Sequence, residues 1–200
     1  MQRLRLTYTR GEQVKYITHL DIMRYWFHPH PRISLAAPLP VGVTSAAELM
    51  DVYLDEQLRP EQVRERLAAQ MTPGFEVLAG ETVPEEWPSL QSQVRFSEYV
   101  VTVETALPRE DVERSIRLLL AKDTLPWELQ RDGETKQYDL RPQIDDLWVS
   151  SAGEGEVVLS MRLQTDSGGS GRPEQVTRAL GFDEPPAAIH RTRLVLEREL

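Results

Sequence analysis

Cysteine is absent from this chain of 200 residues. Its absence excludes disulfides, thiolate metal sites and an iron–sulfur cluster held by the chain itself. Also missing is any apolar run long enough to span a membrane. No signal peptide is read either, because Met1-Gln2-Arg3-Leu4-Arg5-Leu6 reads directly as a strand. The expected setting is the cytoplasm, with no membrane partner. Basic charge is in short supply: 23 Lys and Arg stand against 32 Asp and Glu, a net charge of −9. Such a balance argues against a general polyanion binder and leaves room for a local basic cleft. Most of the basic residues are arginine, the better residue for forked contacts to phosphate. What remains is ordinary core-forming composition, 40% hydrophobic and 28% charged, enough for one large domain or two small ones.

A repeat organises the rest. Residues 59–67 read RPEQVRERL and residues 172–180 read RPEQVTRAL. Each follows an alternating, strand-like run, at 49–54 and 157–163, and each looks like a helix start with Pro in the first turn and an acid just after it. Duplication is the natural reading. The first half then runs strand 3–9, a helix start at 18–24 with Thr18 as N-cap, an extended stretch 32–39, strand 49–54, helix 60–70 and strand 75–78. The second runs strand 98–105, helix 109–121, strands 127–131, 137–140 and 157–163, helix 173–180 and strand 189–196. The predicted fold class is therefore α+β, two tandem ferredoxin-like (βαββαβ) units packed as one body, covering 1–84 and 93–200. Residues 84–92 read as the linker between them and 166–171 as a flexible Gly/Ser loop.

The halves do not match in length. First strands begin near residues 3 and 98, an offset of 95, whereas the RPEQV segments at 59 and 172 lie 113 apart. The first half is short by about 18 residues, and the shortfall fits at Trp26-Phe27, where a helix of barely two turns meets a proline segment. A segment missing at 26/27 predicts a Trp26–Phe27 Cα separation well beyond the ~3.8 Å of a real peptide.

That proline segment, Phe27-His28-Pro29-His30-Pro31-Arg32-Ile33-Ser34, is the richest chemical feature of the chain. Each X-Pro step favours extended backbone, so His28, His30 and Arg32 point to one side. Two imidazoles so placed are candidate metal ligands, with His19 or Asp21 to complete the set. The same groups suit an RNA cleft: His19, Arg24, His28, His30, Arg32 and Arg141, with Arg172, would grip phosphates, and Tyr16, Trp26 or Phe27 would stack on bases. A ribonuclease needs only His28 or His30 near the 2′-OH with Arg32 for the developing charge. Plainer readings stand beside these: rigid surface turns, arginines paired to surplus carboxylates, and Asp21 paired to Arg24 at a helix start.

Tyr16 to Arg24, then His28 to Ser34, then Pro38-Leu39-Pro40-Val41-Gly42-Val43 resemble the radical-SAM-linked (radical-SAM-associated) bacterial proteins, a family of unknown function. Asp139-Leu140-Arg141-Pro142 and Gly171-Arg172-Pro173 look like its later motifs, so the resemblance runs over most of the chain. In that family a longer helix and a Ser/Gly-containing turn separate the first two motifs. Both are missing here, as the repeat offset also indicates, and roles of residues in that piece do not carry over. The resemblance implies a companion of a radical-SAM protein, often encoded near ribosomal and RNA-processing genes, with tRNA or rRNA as candidate partners. The tandem ferredoxin-like order also looks like the CRISPR repeat-processing endoribonucleases at the level of fold. Lacking cysteine, the chain is not itself a radical-SAM enzyme, and no cofactor is expected.

Three readings of function follow. The favoured one is a non-catalytic accessory protein that recognises RNA or an RNA-linked substrate for a radical-SAM partner. The others are a protein docking module without nucleic acid and a ribonuclease using His28 or His30. Of the remaining motifs, Asp139 and Arg141 share a strand side and suit either a buried ion pair or an anion contact. Trp87, Trp127 and Trp148 read as packing, and Gly168-Gly169-Ser170-Gly171 lacks the GxxxxGK[ST] pattern of a phosphate cradle.

Overall fold

Leu4, Leu6 and Tyr8 alternate with Arg3, Arg5 and Thr7, the period of a strand with two unlike faces. In the computed structural model this stretch is β1 (Gln2–Arg10). The structure describes residues 1–18, 21, 32–131, 134–166 and 168–199. In chain order there follow β2 (Ile33–Leu35), β3 (Thr44–Leu54), α1 (Pro60–Ala68), β4 (Phe75–Val83), α2 (Leu90–Gln93), β5 (Val94–Glu104) and α3 (Arg109–Leu120). Then come β6 (Pro126–Arg131), β7 (Glu134–Asp139), β8 (Ile144–Gly153), β9 (Glu156–Asp166), β10 (Gly169–Ser170), α4 (Pro173–Ala179) and β11 (Ala188–Leu196). The fold is mixed α+β. It divides into two compact units, 1–95 with 190–200, and 96–189. The expected break at 26/27 lies outside the described residues.

In the first unit β1 is antiparallel to both β3 and β4, and β2 extends the sheet beside the end of β3. The start of β3 pairs in parallel with β11, through Thr44 with His190 and Ser45 with Arg191. From His190 onward the last strand therefore falls with the first unit, where the sequence reading had assigned it to the second. Leu4, Leu6 and Tyr8 pack with Met50, Val52, Phe75 and Val77, and α1 closes this core with Val63. Each such side chain contributes about 1.5–3 kcal/mol on burial. The other face of β1 is buried too. Arg3 and Arg5 are both 2% exposed and share the wholly buried Asp51. They are covered by residues 87–93, which the sequence reading took for linker. Trp87 and Pro88 accept hydrogen bonds from Arg3 through their carbonyls, and Leu90 is fully buried in a second cluster with Val94, Leu194 and Leu196.

In the second unit β9 lies between β5 and β8, antiparallel to both. Helix α3 buries Val112, Ile116 and Leu119 against Val101, Val103, Leu159 and Met161. β6 and β7 form a separate two-stranded hairpin. Strand β8 was not anticipated: register shifts between Ile144 and Asp146 and between Val149 and Ser151 break the two-residue period that marks a strand. Within 166–171, expected as a flexible loop, Gly169 and Ser170 form the short β10, paired to Asp166 and Thr165. A Cβ on Gly171 would stand 3.0 Å from the Gln143 carbonyl oxygen, so only glycine allows this close approach.

Both RPEQV segments begin helices. Each follows an 11-residue strand, has its proline at the first helical position, and buries its valine, Val63 or Val176. They differ at the fourth residue. Gln62 accepts the Arg59 N–H at 3.0 Å, whereas Gln175 is buried beside Tyr138 with its carbonyl oxygen unpartnered.

Candidate functional site

Arg10 ends β1 and organises the surrounding loops. It is 1% exposed and among the described contacts its guanidinium meets carbonyl oxygens rather than a carboxylate. It donates to Val14 (3.3 Å), Lys15 (2.8 Å), Leu39 (3.2 Å) and Pro40 (3.5 Å), and by a short bond to Ile17. Gly42 N–H adds a bond to the Lys15 carbonyl at 2.8 Å. Two stretches singled out in the sequence, Tyr16-Ile17-Thr18 and Pro38 to Val43, are thereby held side by side. A buried guanidinium is costly unless its donors are satisfied, and five carbonyls satisfy these.

A second arginine secures the same loops from below. Arg191 pairs with Glu48 through two bonds, Nε to Oε1 at 2.7 Å and a shorter one to Oε2, and donates to the Ala37 carbonyl at 2.9 Å. Tyr8 is buried against this pair. Loss of solvation, with Glu48 close by, pushes its phenol far above the ordinary value. Next along the strand, His190 Nδ1 and Thr44 Oγ1 are 2.7 Å apart.

Over this base the surface is open. Tyr16 is 71% exposed, Val41 is 54% exposed, and Gly42 takes φ 87°, the left-handed conformation that lets the loop turn. Lys15 places its ammonium 5.5 Å from the Tyr16 ring and pairs with Glu12 at 2.7 Å, which holds its charge above the ordinary value. An exposed aromatic ring beside a cation can stack on a base and contact its phosphate. Thr18 and Asp21 exchange reciprocal bonds, Thr18 Oγ1 to Asp21 Oδ2 at 2.6 Å and Asp21 N–H to Thr18 Oγ1 at 3.2 Å, the pattern of a capping box, while the rest of the helix start expected at 18–24 lies outside the described residues.

The site residues chosen from sequence fare unevenly. His19, Arg24, His28 and His30 lie outside the described residues, so the metal pair His28/His30 does as well. Arg32 is exposed, but its carbonyl accepts Tyr53 N–H, next to the start of β1. Tyr16 sits at the other end of that strand, about 23 Å away at ~3.3 Å per residue. Arg141 and Arg172 belong to the second unit. Arg141 donates to the Leu120 carbonyl (3.2 and 3.0 Å) and the Ile144 carbonyl (2.8 Å), capping the C-terminal end of α3. Asp139, expected on the same strand side as Arg141, accepts the N–H groups of Leu125 (2.7 Å) and Arg141 (3.0 Å). Free carbonyls at a helix end draw a cation, which accounts for the partners of Arg141. Arg172 is exposed at the N-cap of α4. Lys15, Thr44 and His190 went unremarked in the sequence, where nothing local marks them; 146 residues separate Thr44 from His190.

The family model "Uncharacterized protein conserved in bacteria (DUF2344)" matches residues 27–173, and the chain belongs to that family. No curated protein matches it. Among solved structures it is similar to a chain of a Cbf5-Nop10-Gar1 complex, with TM-score 0.53 and 8% identity over 96% of this chain and 48% of that one. It is also similar to chains of an H/ACA RNP bound to a substrate RNA containing 2'-deoxyuridine (TM-score 0.45, 12% identity, 96% and 47% covered) and of the archaeal box H/ACA sRNP Nop10-Cbf5 complex (0.44, 11%, 96% and 47%). This chain spans about half the length of those chains. At such identities the likeness of the first is one of fold alone.

Proposed function

We propose that this protein recognises RNA, or a substrate attached to RNA, through the surface that residues 15–18 and 38–43 form in its first unit, without catalysing a reaction, and that it does so for a radical-SAM partner. The observation that carries this reading is the exposed Tyr16 ring with Lys15 against it, held on a rigid base by Arg10. Single-stranded nucleic acid is gripped by such pairs of aromatic ring and cation. A net charge of −9 fits a small, shaped contact better than a broad basic one. The radical-SAM partner rests on the motif resemblance. Tandem ferredoxin-like units at 1–84 and 93–200 are part of the same reading. Their support is the antiparallel strand order β4-β1-β3-β2 in one and β5-β9-β8 in the other, with an RPEQV helix after β3 in the first and after β9 and the short β10 in the second.

Binding of total tRNA and of rRNA fragments at two salt concentrations tests the reading. Wild type should bind with an affinity that falls steeply as salt rises. Lys15→Gln/Tyr16→Ala should lose about tenfold or more, since one stacked base contributes about 1–3 kcal/mol. His28→Ala/Arg32→Ala tests whether the proline segment joins the contact. Absence of binding at low salt would leave a docking module for a protein partner.

A further inference from the structure

The outer face of the first unit's sheet carries a groove of about 440 Å³. Register aligns its floor: Arg5 stands between Glu81 and Asp51, and Thr7 between Ala79 and Leu49. Beneath it one carboxylate serves two guanidiniums. Asp51 Oδ2 accepts from Arg3 at 2.9 and 2.6 Å, while Arg5 reaches Oδ1 at 2.8 Å and Oδ2 at 3.1 Å. All three side chains are at most 2% exposed, so a net positive charge is buried there. Arg3 spends its other donors on the Trp87 and Pro88 carbonyls. Among the described residues Arg5 Nη1 meets the Gln93 amide oxygen alone, at a stretched 3.4 Å. On the rim, Arg193 and Arg198 are 52% and 42% exposed, held by Glu199 at 3.4 Å and Glu81 at 2.9 Å. Pairs so exposed are weak and exchange readily.

We propose that this groove binds a phosphate group, with Arg5 as the buried anchor and Arg193 and Arg198 as clamps that leave their carboxylates for the anion. A buried unbalanced cation stabilises an anion far more than an exposed one does, and the fork of arginine matches phosphate oxygens. Ala47, Ala79 and Thr7 leave the room. The phosphate is either a monoester on a small molecule or a diester in a nucleic-acid strand. The site is separate from the Tyr16 surface, so it stands or falls without the RNA reading.

Arg198 lies 5.6 Å from the Trp87 ring, which supplies a signal. The intact protein is titrated with inorganic phosphate, and with chloride at equal ionic strength, while tryptophan emission and the width of the phosphorus NMR line are followed. A saturable response to phosphate alone is expected. Its emission component should vanish in Trp87→Phe, and its affinity should fall about tenfold in Arg193→Gln and in the groove-filling Ala47→Leu. Adenosine monophosphate and the dinucleoside monophosphate UpU then separate the two sources: tighter binding of the first supports a monoester, of the second a diester. No saturable response by either readout overturns the proposal, as does a response that Arg193→Gln and Ala47→Leu leave unchanged.

Discussion

Arg10 shows how much one side chain can decide. Its five carbonyl partners belong to two loops that the sequence separates by more than 20 residues, and Arg10→Met would remove the donor they share, although the Val14, Lys15 and Pro40 carbonyls each keep a backbone N–H. The expected cost is about 3 kcal/mol or more, measured by urea denaturation, with faster amide exchange at Gly42. Arg10→Lys should recover little, because one ammonium cannot span the fork. Tyr8 makes a second prediction at this scale. Its folded-state pKa is raised above the ordinary 10.0, chiefly by burial and then by Glu48. Its proton is therefore held more tightly when folded, so the stabilisation is complete below about pH 10 and is lost as pH rises beyond it. Wild type should lose stability above pH 10 more steeply than Tyr8→Phe; equal slopes would remove Tyr8 as the cause.

Among the elements, those with strong local signals were legible. Arg-Pro-Glu-Gln-Val marks a helix start twice because proline suits the first helical position and an acid suits the next. Helix α3 was legible because Val112, Ile116 and Leu119 recur at helical spacing on one buried face. Strand β8 was not, since its register shifts hide the alternation, and α2 was not, since four residues carry no period. The two RPEQV helices also separate by experiment. Gln62→Ala should cost about 1 kcal/mol by removing the bond to Arg59 N–H, whereas Gln175→Met, which loses a contact to Tyr138 but also a buried carbonyl oxygen with no partner among the described residues, should cost less. Thermal unfolding of the two variants decides it. Gly171→Ala should cost about 1–3 kcal/mol, because its Cβ would press on backbone that cannot move aside.

For the whole molecule, local pattern conveyed less. The alternation of Arg3 and Arg5 with leucine reads as a solvent-facing row, yet the structure buries both around Asp51 under a segment some 85 residues further on. Nothing local to β1 announces that cover. The same holds for the candidate site. Tyr16 was legible as an aromatic near the motifs, but the loop beside it is brought there by Arg10 at the end of β1 and by the Gly42 N–H bond to the Lys15 carbonyl. Arg141 illustrates the converse, a residue with the chemistry of an anion contact whose donors the fold commits to a helix end. The central claim is that RNA meets the surface of residues 15–18 and 38–43. Photocrosslinking of the wild-type protein to 4-thiouridine-labelled tRNA and rRNA fragments, with the attached peptides mapped by mass spectrometry, tests it most directly. The account predicts crosslinks at Tyr16 and within residues 38–43, reduced in Lys15→Gln/Tyr16→Ala. Crosslinks confined to other parts of the chain, or none at low salt, would contradict it.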